Sequence, residues 1–315
     1  MPVQRLRRSV LACPGSNPRM MEKAAASGAD EVFLDLEDAC APLEKPGARA
    51  KIVEALTTHD WGSKVRVVRI NDVHTPWALR DLVAVVEGAG AALDCVMVPK
   101  VQNVGDVAFV DRALEQLEQE LGLPPGGIGI EAQIEDALGL TNAEAIATAS
   151  PRVETLIFGP ADFSAAMQLP SLTIGGRSDY PGDIFHYVLF KLAVAARAAG
   201  IQVIDGPYLQ IRDLEGFGEW ASRAAALGYD GKWVLHPGQI EPCNRAFTPS
   251  QELFDKSIAI LDAYRRATEV DRRGAAMLGD EMIDEASRKM ATQFRVRGLA
   301  AGLTPSAAGE GPARP

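Results

Sequence analysis

The sequence predicts an α/β protein, a (β/α)8 TIM barrel with a C-terminal helical extension. Three observations point there. Short β-branched and aromatic runs recur eight times, amphipathic helical stretches alternate with them, and each run ends in polar or special residues. Strands alternating with helices imply parallel βαβ units. Eight such units over roughly 240 residues favour a closed barrel over an open doubly wound sheet.

In order, the expected strands are "SVLAC" (9–13), "EVFLDL" (31–36), "VRVVRI" (65–70), "CVMVPK" (95–100), "GIGIEAQI" (127–134), "TLIFG" (155–159), "QVIDG" (202–206) and "KWVLH" (232–236). The clearest helix is 104–121, where Val107, Val110, Leu114, Leu117 and Leu121 recur at helical spacing beside Glu115, Glu118 and Glu120. The strand ends deliver Ser16, Glu37 with Asp38, Arg69 with Asn71, Lys100, Glu135, Asp162, Asp205 and His236, and a barrel gathers such ends on its catalytic rim. The segment 169–183 is long for a barrel loop and is expected to cover that rim. Residues 1–245 thus form the barrel. A break at "AFTPSQ" opens an appended helical region, 246–300, with one helix to about 272 and another from about 280 to 293. Residues 301–315 lack apolar periodicity and are expected to be disordered.

Composition narrows the function. The chain has 315 residues, 47% hydrophobic, and a net charge of −10 with no Lys/Arg block, which argues against nucleic-acid binding. Cys13, Cys40, Cys95 and Cys243 stand far apart without a C-x-x-C pair, so they read as reduced, packed thiols and imply a cytoplasmic setting. The basic N-terminus carries only about five apolar residues against the 7 to 15 of a signal peptide. No segment approaches the ~20 apolar residues of a membrane span.

Carboxylates are what remains for chemistry. The four histidines are isolated, so zinc catalysis is disfavoured, and no G-x-S-x-G elbow, P-loop or dinucleotide fingerprint occurs. Glu135 and Asp162, at the ends of adjacent strands, can converge on a hard cation such as Mg2+, leaving most of its shell to water and substrate. Alternatively Asp162 caps the following helix. Arg66 and Arg69 are three residues apart on one strand and fall on opposite faces. A barrel-facing Arg69 near the metal would stabilise an oxyanion; the alternative is a structural ion pair with the Asp35 or Glu37 region.

In order along the chain, "PGSNPRMMEKAAASGADEVFLDLEDACAPLEKPGAR", "VRIN", "VMVPKV", "IEDALGL", "FGPADF", "IDGPY" and "GKWVLHPGQI" resemble the citrate lyase β-subunit-like (HpcH/HpaI) lyases. Within them the sequence is most similar to the malyl-CoA, β-methylmalyl-CoA and citramalyl-CoA lyases, over roughly residues 8–295. The resemblance implies a TIM barrel, Mg2+ dependence (Mn2+ as a substitute), CoA thioester and 2-oxo acid substrates, and trimers or hexamers in which the extension lids a neighbour's site. By motif, Glu135 and Asp162 fall on the metal ligands and Arg69 on the arginine that holds the carbonyl or enolate oxygen. Glu37 and Asp38 fall on carboxylates that bind the metal's waters. "GDEMIDEAS" matches the lid segment with an aspartate acting across the subunit boundary, which points to Asp284; a helix-start carboxylate is the alternative. Arg19, Lys23 and Lys45 are candidates for the CoA phosphates. Gln133 departs from the apolar residue of many relatives.

The implied activity is cleavage, or Claisen-type formation, of a 3-hydroxy-3-carboxyacyl-CoA. Malyl-CoA thioester hydrolysis, an aldolase on non-CoA hydroxy-oxo acids and a β subunit of a larger citrate lyase complex are the competing expectations.

Overall fold

The computed structural model describes residues 4–170 and 180–306. The expected rim-covering segment therefore falls largely outside the described residues, as does most of the expected tail. The chain divides into two compact units, Met1–Phe247 and Thr248–Pro315.

The first unit is a closed barrel of eight strands in sequence order. The strands are β1 (Ser9–Pro14), β2 (Glu31–Asp35), β3 (Val65–Arg69), β4 (Cys95–Val98), β5 (Gly129–Ile134), β6 (Val153–Phe158), β7 (Gln202–Asp205) and β8 (Gly231–Val234). Every neighbouring pair is parallel, and β1 closes on β8 through Ser9 to Lys232 and Val10 to Trp233. Between them run α1 (Pro18–Ala25), α2 (Lys45–Thr58), α3 (Ala78–Ala89), α4 (Val104–Leu121), the short α5 (Ala137–Thr141) and α6 (Ala143–Ala147), α7 (Pro160–Ala166), α8 (His186–Ala199) and α9 (Leu214–Ala226), with α10 (Ile240–Phe247) after β8.

All eight expected runs form strands, shifted by one or two residues at their ends. β4 stops at Val98 because Pro99 has no N–H for the ladder and Lys100 turns left-handed, with φ +52°. The helix expected at 104–121 forms there. Asn103 and Asp106 close a reciprocal capping box at its start, and Gly122 ends it in the left-handed conformation.

Side-chain alternation sorts the strands into two cores. One face packs Leu34, Val68, Val96, Ile130, Leu156 and Val203 against the helices. The other fills the barrel with Val10, Phe33, Val67, Met97, Ile157, Ile204 and Trp233. Arg7 plugs the N-terminal end of the barrel. Its guanidinium donates to Glu31 Oε2 (2.7 Å), Gln202 Oε1 (2.7 Å) and Glu154 Oε2 (2.6 Å), and lies 3.0 Å from Glu131 Oε1. Burial pushes Glu31 and Glu131 up, and the charge of Glu131 adds to the rise at Glu31. Removing the arginine strands buried acids without a partner, so Arg7→Met is expected to cost about 3 to 5 kcal/mol. Thermal unfolding of the variant checks this; a loss under about 1 kcal/mol would contradict it.

The second unit contains α11 (Gln251–Glu269), a hairpin of β9 (Ala276–Leu278) and β10 (Glu281–Ile283), and α12 (Glu285–Ala300). The helix expected to begin near 280 begins at Glu285. The stretch before it turns at Gly279 (φ +59°) and Asp280, a two-residue loop whose first position needs glycine. Gly298 lets α12 approach α11: an added Cβ there would lie 2.2 Å from the Phe254 ring.

Candidate active site

At the C-terminal end of the barrel, β2, β3, β4, β5 and β6 bring together Asp35, Glu37, Arg69, Lys100, Gln133, Glu135 and Asp162. Parity explains the selection. Phe33 and Val67 face the barrel interior, so Asp35 and Arg69, two residues on, face it too; Gln133 and Glu135 continue the inward positions of β5. Arg66 turns outward to Asp94, as its three-residue separation from Arg69 requires.

Arg69 is fixed from three sides. Asp35 takes its Nε and Nη2 in a bidentate pair (2.7 and 2.6 Å), and the guanidinium lies 5.5 Å from the Phe33 ring centre and 5.3 Å from that of Trp233. The ion pair with Asp35 therefore exists, and it leaves Nη1 as the working edge. Nη1 lies 3.4 Å from Glu37 Oε2 and donates to Gln133 Oε1 at 3.5 Å. Burial alone would raise Asp35. Arg69 and the backbone N–H groups of Glu37 and Ala39 outweigh it and hold the carboxylate below its usual range.

Glu135 is buried at 3% exposure and accepts hydrogen bonds from the Lys100 backbone N–H (2.8 Å) and Gln133 Nε2 (2.6 Å). Burial, and next the charge of Asp162, push its carboxyl up to about 8. A buried carboxylate that feels the charge of a second acid is one that a cation would relieve. Asp162 lies in the first turn of α7 but does not cap it; Gly159 is the cap residue. Gly159 also makes room for Glu135, because a Cβ there would meet Glu135 Oε2 at 2.3 Å.

Glu37 sits between two cations. Its Oε1 accepts from Lys100 Nζ, and Oε2 accepts the Asp38 N–H at 3.1 Å beside Arg69. Burial raises Glu37, and Arg69 and Lys100 offset part of that rise. The Asp38 side chain is 64% exposed, with Oδ2 3.8 Å from Lys100 Nζ.

Lys45 requires a correction. Its Nζ is buried and donates to the Leu36 and Glu37 carbonyls (2.8 and 2.7 Å) and to Asn71 Oδ1 (2.5 Å), so all three protons are committed and none reaches a phosphate. Its work is to brace the loop carrying Glu37 from behind. Asn71 is part of the same brace, donating to Asp81, which also takes Arg49. Arg19 and Lys23 stay exposed, one turn apart on α1. Two other rim residues have local partners: Asp205 pairs with buried Lys232 at 2.6 Å, and His236 Nδ1 accepts the Gly238 N–H.

Asp284, in the second unit, is the N-cap of α12. Its Oδ1 accepts from the Ser287 N–H (2.9 Å) and hydroxyl (3.1 Å), and the Ser287 backbone bond leads the effects that hold it below its usual range.

Sequence reasoning assigned no role to Lys100 or Gly159, and treated Asp35 and Gln133 only in passing. For Asp35 and Gln133 the signal was parity with Phe33 and Glu135.

A model of the HpcH/HpaI aldolase/citrate lyase family matches residues 8–237. The chain belongs to that family. Relatives of this HpcH/HpaI protein include the L-malyl-CoA/β-methylmalyl-CoA lyase of Cereibacter sphaeroides, 40% identical over 92% of this chain and 94% of the relative. The citrate lyase subunit beta of Leuconostoc mesenteroides is 34% identical, with 89% of each chain covered. Among solved structures, CitE from Mycobacterium tuberculosis in complex with magnesium, acetoacetate and coenzyme A aligns with a TM-score of 0.72 at 31% identity, covering 93% of this chain and 98% of that one. A citrate lyase from Burkholderia xenovorans shares the fold, with a TM-score of 0.83 at 23% identity.

Proposed function

We propose that the protein is a Mg2+-dependent carbon–carbon lyase. It cleaves, or forms by Claisen-type condensation, a 3-hydroxy-3-carboxyacyl-CoA such as malyl-CoA, β-methylmalyl-CoA or citramalyl-CoA, giving an acyl-CoA and a 2-oxo acid. The observation that carries this reading is the buried Glu135 beside Asp162, with the fixed Arg69 guanidinium acting on Glu135. The names of the relatives supply the substrate class.

The donor set fits Mg2+. Among the described residues no group of three or more His, Cys, Asp or Glu could hold a metal, and a hard cation bound through two carboxylates plus water and substrate needs no third protein ligand. Mg2+ held by Glu135 and Asp162 supplies Lewis-acid polarisation of the substrate's oxygens. Gln133 and the Lys100 N–H orient Glu135 for that role. Glu37 and Asp38 would accept hydrogen bonds from the waters of a bound cation. Arg69 Nη1, held by Asp35 and the two rings, donates to the thioester oxygen as negative charge develops there. Asp284, supplied by a neighbouring copy in a trimer or hexamer, moves the proton at the α-carbon: it removes it in condensation and returns it in cleavage. Arg19 and Lys23 offer their exposed charges to the CoA phosphates. A cytoplasmic setting suits four cysteines that are all buried and unpaired in disulfides, and among the described residues no helix is long and apolar enough to cross a membrane.

The test is a screen of acetyl-CoA and propionyl-CoA against glyoxylate and pyruvate with Mg2+, read by mass spectrometry. Condensation in at least one pairing is expected, and none in any pairing contradicts the assignment.

Metal affinity should depend on pH. A proton on Glu135 competes with the cation up to about pH 8. The apparent Mg2+ Kd is therefore expected to tighten about tenfold per unit from pH 6 to 8 and level off above. Linkage runs the other way for the metal-free protein. A carboxyl raised in the folded state contributes stability at low pH that is lost as pH rises through its folded value, so Tm without Mg2+ falls between about pH 5 and 8 and added Mg2+ recovers it. Titration calorimetry across this range checks the first effect and thermal scans the second. A pH-independent Kd would contradict both.

A further inference from the structure

Lys100 stands at the centre of the site and the proposed mechanism gives its side chain no role. It is one of three described non-glycine residues with positive φ, and it takes this costly conformation directly after Pro99 at the end of β4. The turn sends its two ends in different directions. Its backbone N–H donates to Glu135 Oε1 at 2.8 Å, and its Nζ donates to Glu37 Oε1. One residue just past β4 thus touches carboxylates that follow β2 and β5, which are not neighbours in the barrel. Asp38 Oδ2 lies 3.8 Å from the same ammonium, and the carboxylate of Asp162 is close enough to act on its charge.

The other oxygen of Glu37 faces Arg69 Nη1. Without the ammonium, Glu37 would be free to swing fully onto the guanidinium, consuming the edge that the substrate oxygen needs. We propose that Lys100 is a positioning residue: its left-handed backbone aims Glu135, and its ammonium keeps Glu37 Oε1 off the guanidinium, so that Arg69 meets only Oε2, at 3.4 Å, and Glu37 stays available to the waters a bound cation would carry. The proposal rests on the lyase reading above for its consequences in turnover. Its geometry requires a basic side chain long enough to cross the barrel mouth, on a backbone that only this turn provides.

Glycine separates the two halves of the role, because it adopts φ +52° without strain and keeps the N–H while removing the ammonium. Lys100→Gly is expected to lower kcat about 10- to 100-fold, with KM for the CoA thioester changed less than about twofold. Mg2+ binding by calorimetry adds a readout that does not depend on turnover, and its sign decides. A bystander cation, once removed, relieves repulsion and tightens Mg2+ binding; a positioning lysine, once removed, weakens it, by about tenfold. The double variant Lys100→Gly/Glu37→Gln should be no slower than Glu37→Gln alone, since the ammonium acts through Glu37, and Lys100→Arg should recover part of kcat. Tighter Mg2+ binding in Lys100→Gly, or losses that multiply in the double variant, would overturn the proposal. A wild-type protein without lyase activity would instead sink the lyase reading, and the calorimetric comparison would still decide the role of Lys100.

Discussion

Asp284→Asn is expected to slow exchange of the α-protons of acetyl-CoA by roughly 100- to 10,000-fold, the range for losing a positioned acid or base. The substitution is well suited to the question because asparagine caps helices about as well as aspartate. The bonds that Asp284 Oδ1 accepts from Ser287 can pass to the amide oxygen, so α12 and the thermal stability should be retained. Mg2+ affinity should also be unchanged, since Glu135 and Asp162 lie on other elements. Proton exchange is followed by NMR in deuterated buffer. Exchange at the wild-type rate would remove Asp284 from the chemistry and leave it only its capping role. The proposal that a second copy supplies Asp284 has its own readout: mixing Asp284→Asn with Arg69→Met protein should restore activity at the hybrid sites that combine one intact barrel with one intact Asp284.

Arg69→Met is expected to lower kcat roughly 100- to 1,000-fold, the usual cost of losing a donor aimed at a developing oxyanion in a water-poor site. The structure adds a condition to that expectation. Arg69 neutralises the buried Asp35 through two short bonds, so removing it also strands a carboxylate at 1% exposure. Loss of fold must be separated from loss of chemistry. Arg69→Met/Asp35→Asn removes both charges together; it should recover most of the stability lost in the single variant and none of the turnover. Recovery of turnover would show that Arg69 serves the fold alone. Lysine is a poor substitute here, because one ammonium cannot reproduce the bidentate pair with Asp35 and also present a free donor toward Glu37 and Gln133.

Much of the barrel was legible because its strands are almost wholly buried, and burial on both faces writes them as short continuous runs such as Val32-Phe33-Leu34. The β9–β10 hairpin was not. Its strands are three residues long, too short for any period to show, and only the Gly279-Asp280 pair marks the turn. Arg69 and Glu135 could be found because burying a charge on an inward position at a strand's end is costly, and packing alone does not repay it. Asp205 follows the same logic with the opposite result: it comes one residue after inward-facing Ile204, so parity sends it outward to Lys232, and that was readable. Lys45 was misread for a different reason. A lysine opening a helix after an acidic loop looks like a surface cation, and only closure of that loop brings the Leu36 and Glu37 carbonyls onto its ammonium. Lys100 was visible as a rim residue, but its left-handed backbone, which lets it serve Glu37 and Glu135 at once, has no linear signature.

The measurement that reaches the central claim most directly is a product analysis. Whichever CoA thioester the condensation screen yields is incubated with the protein, with Mg2+ in one arm and a chelator in the other, and the products are quantified by mass spectrometry. An acyl-CoA and a 2-oxo acid are expected in equal amounts, formed only with Mg2+ and lost in Glu135→Gln. Free CoA with the intact hydroxy acid, or cleavage that persists in the chelator, would contradict the assignment.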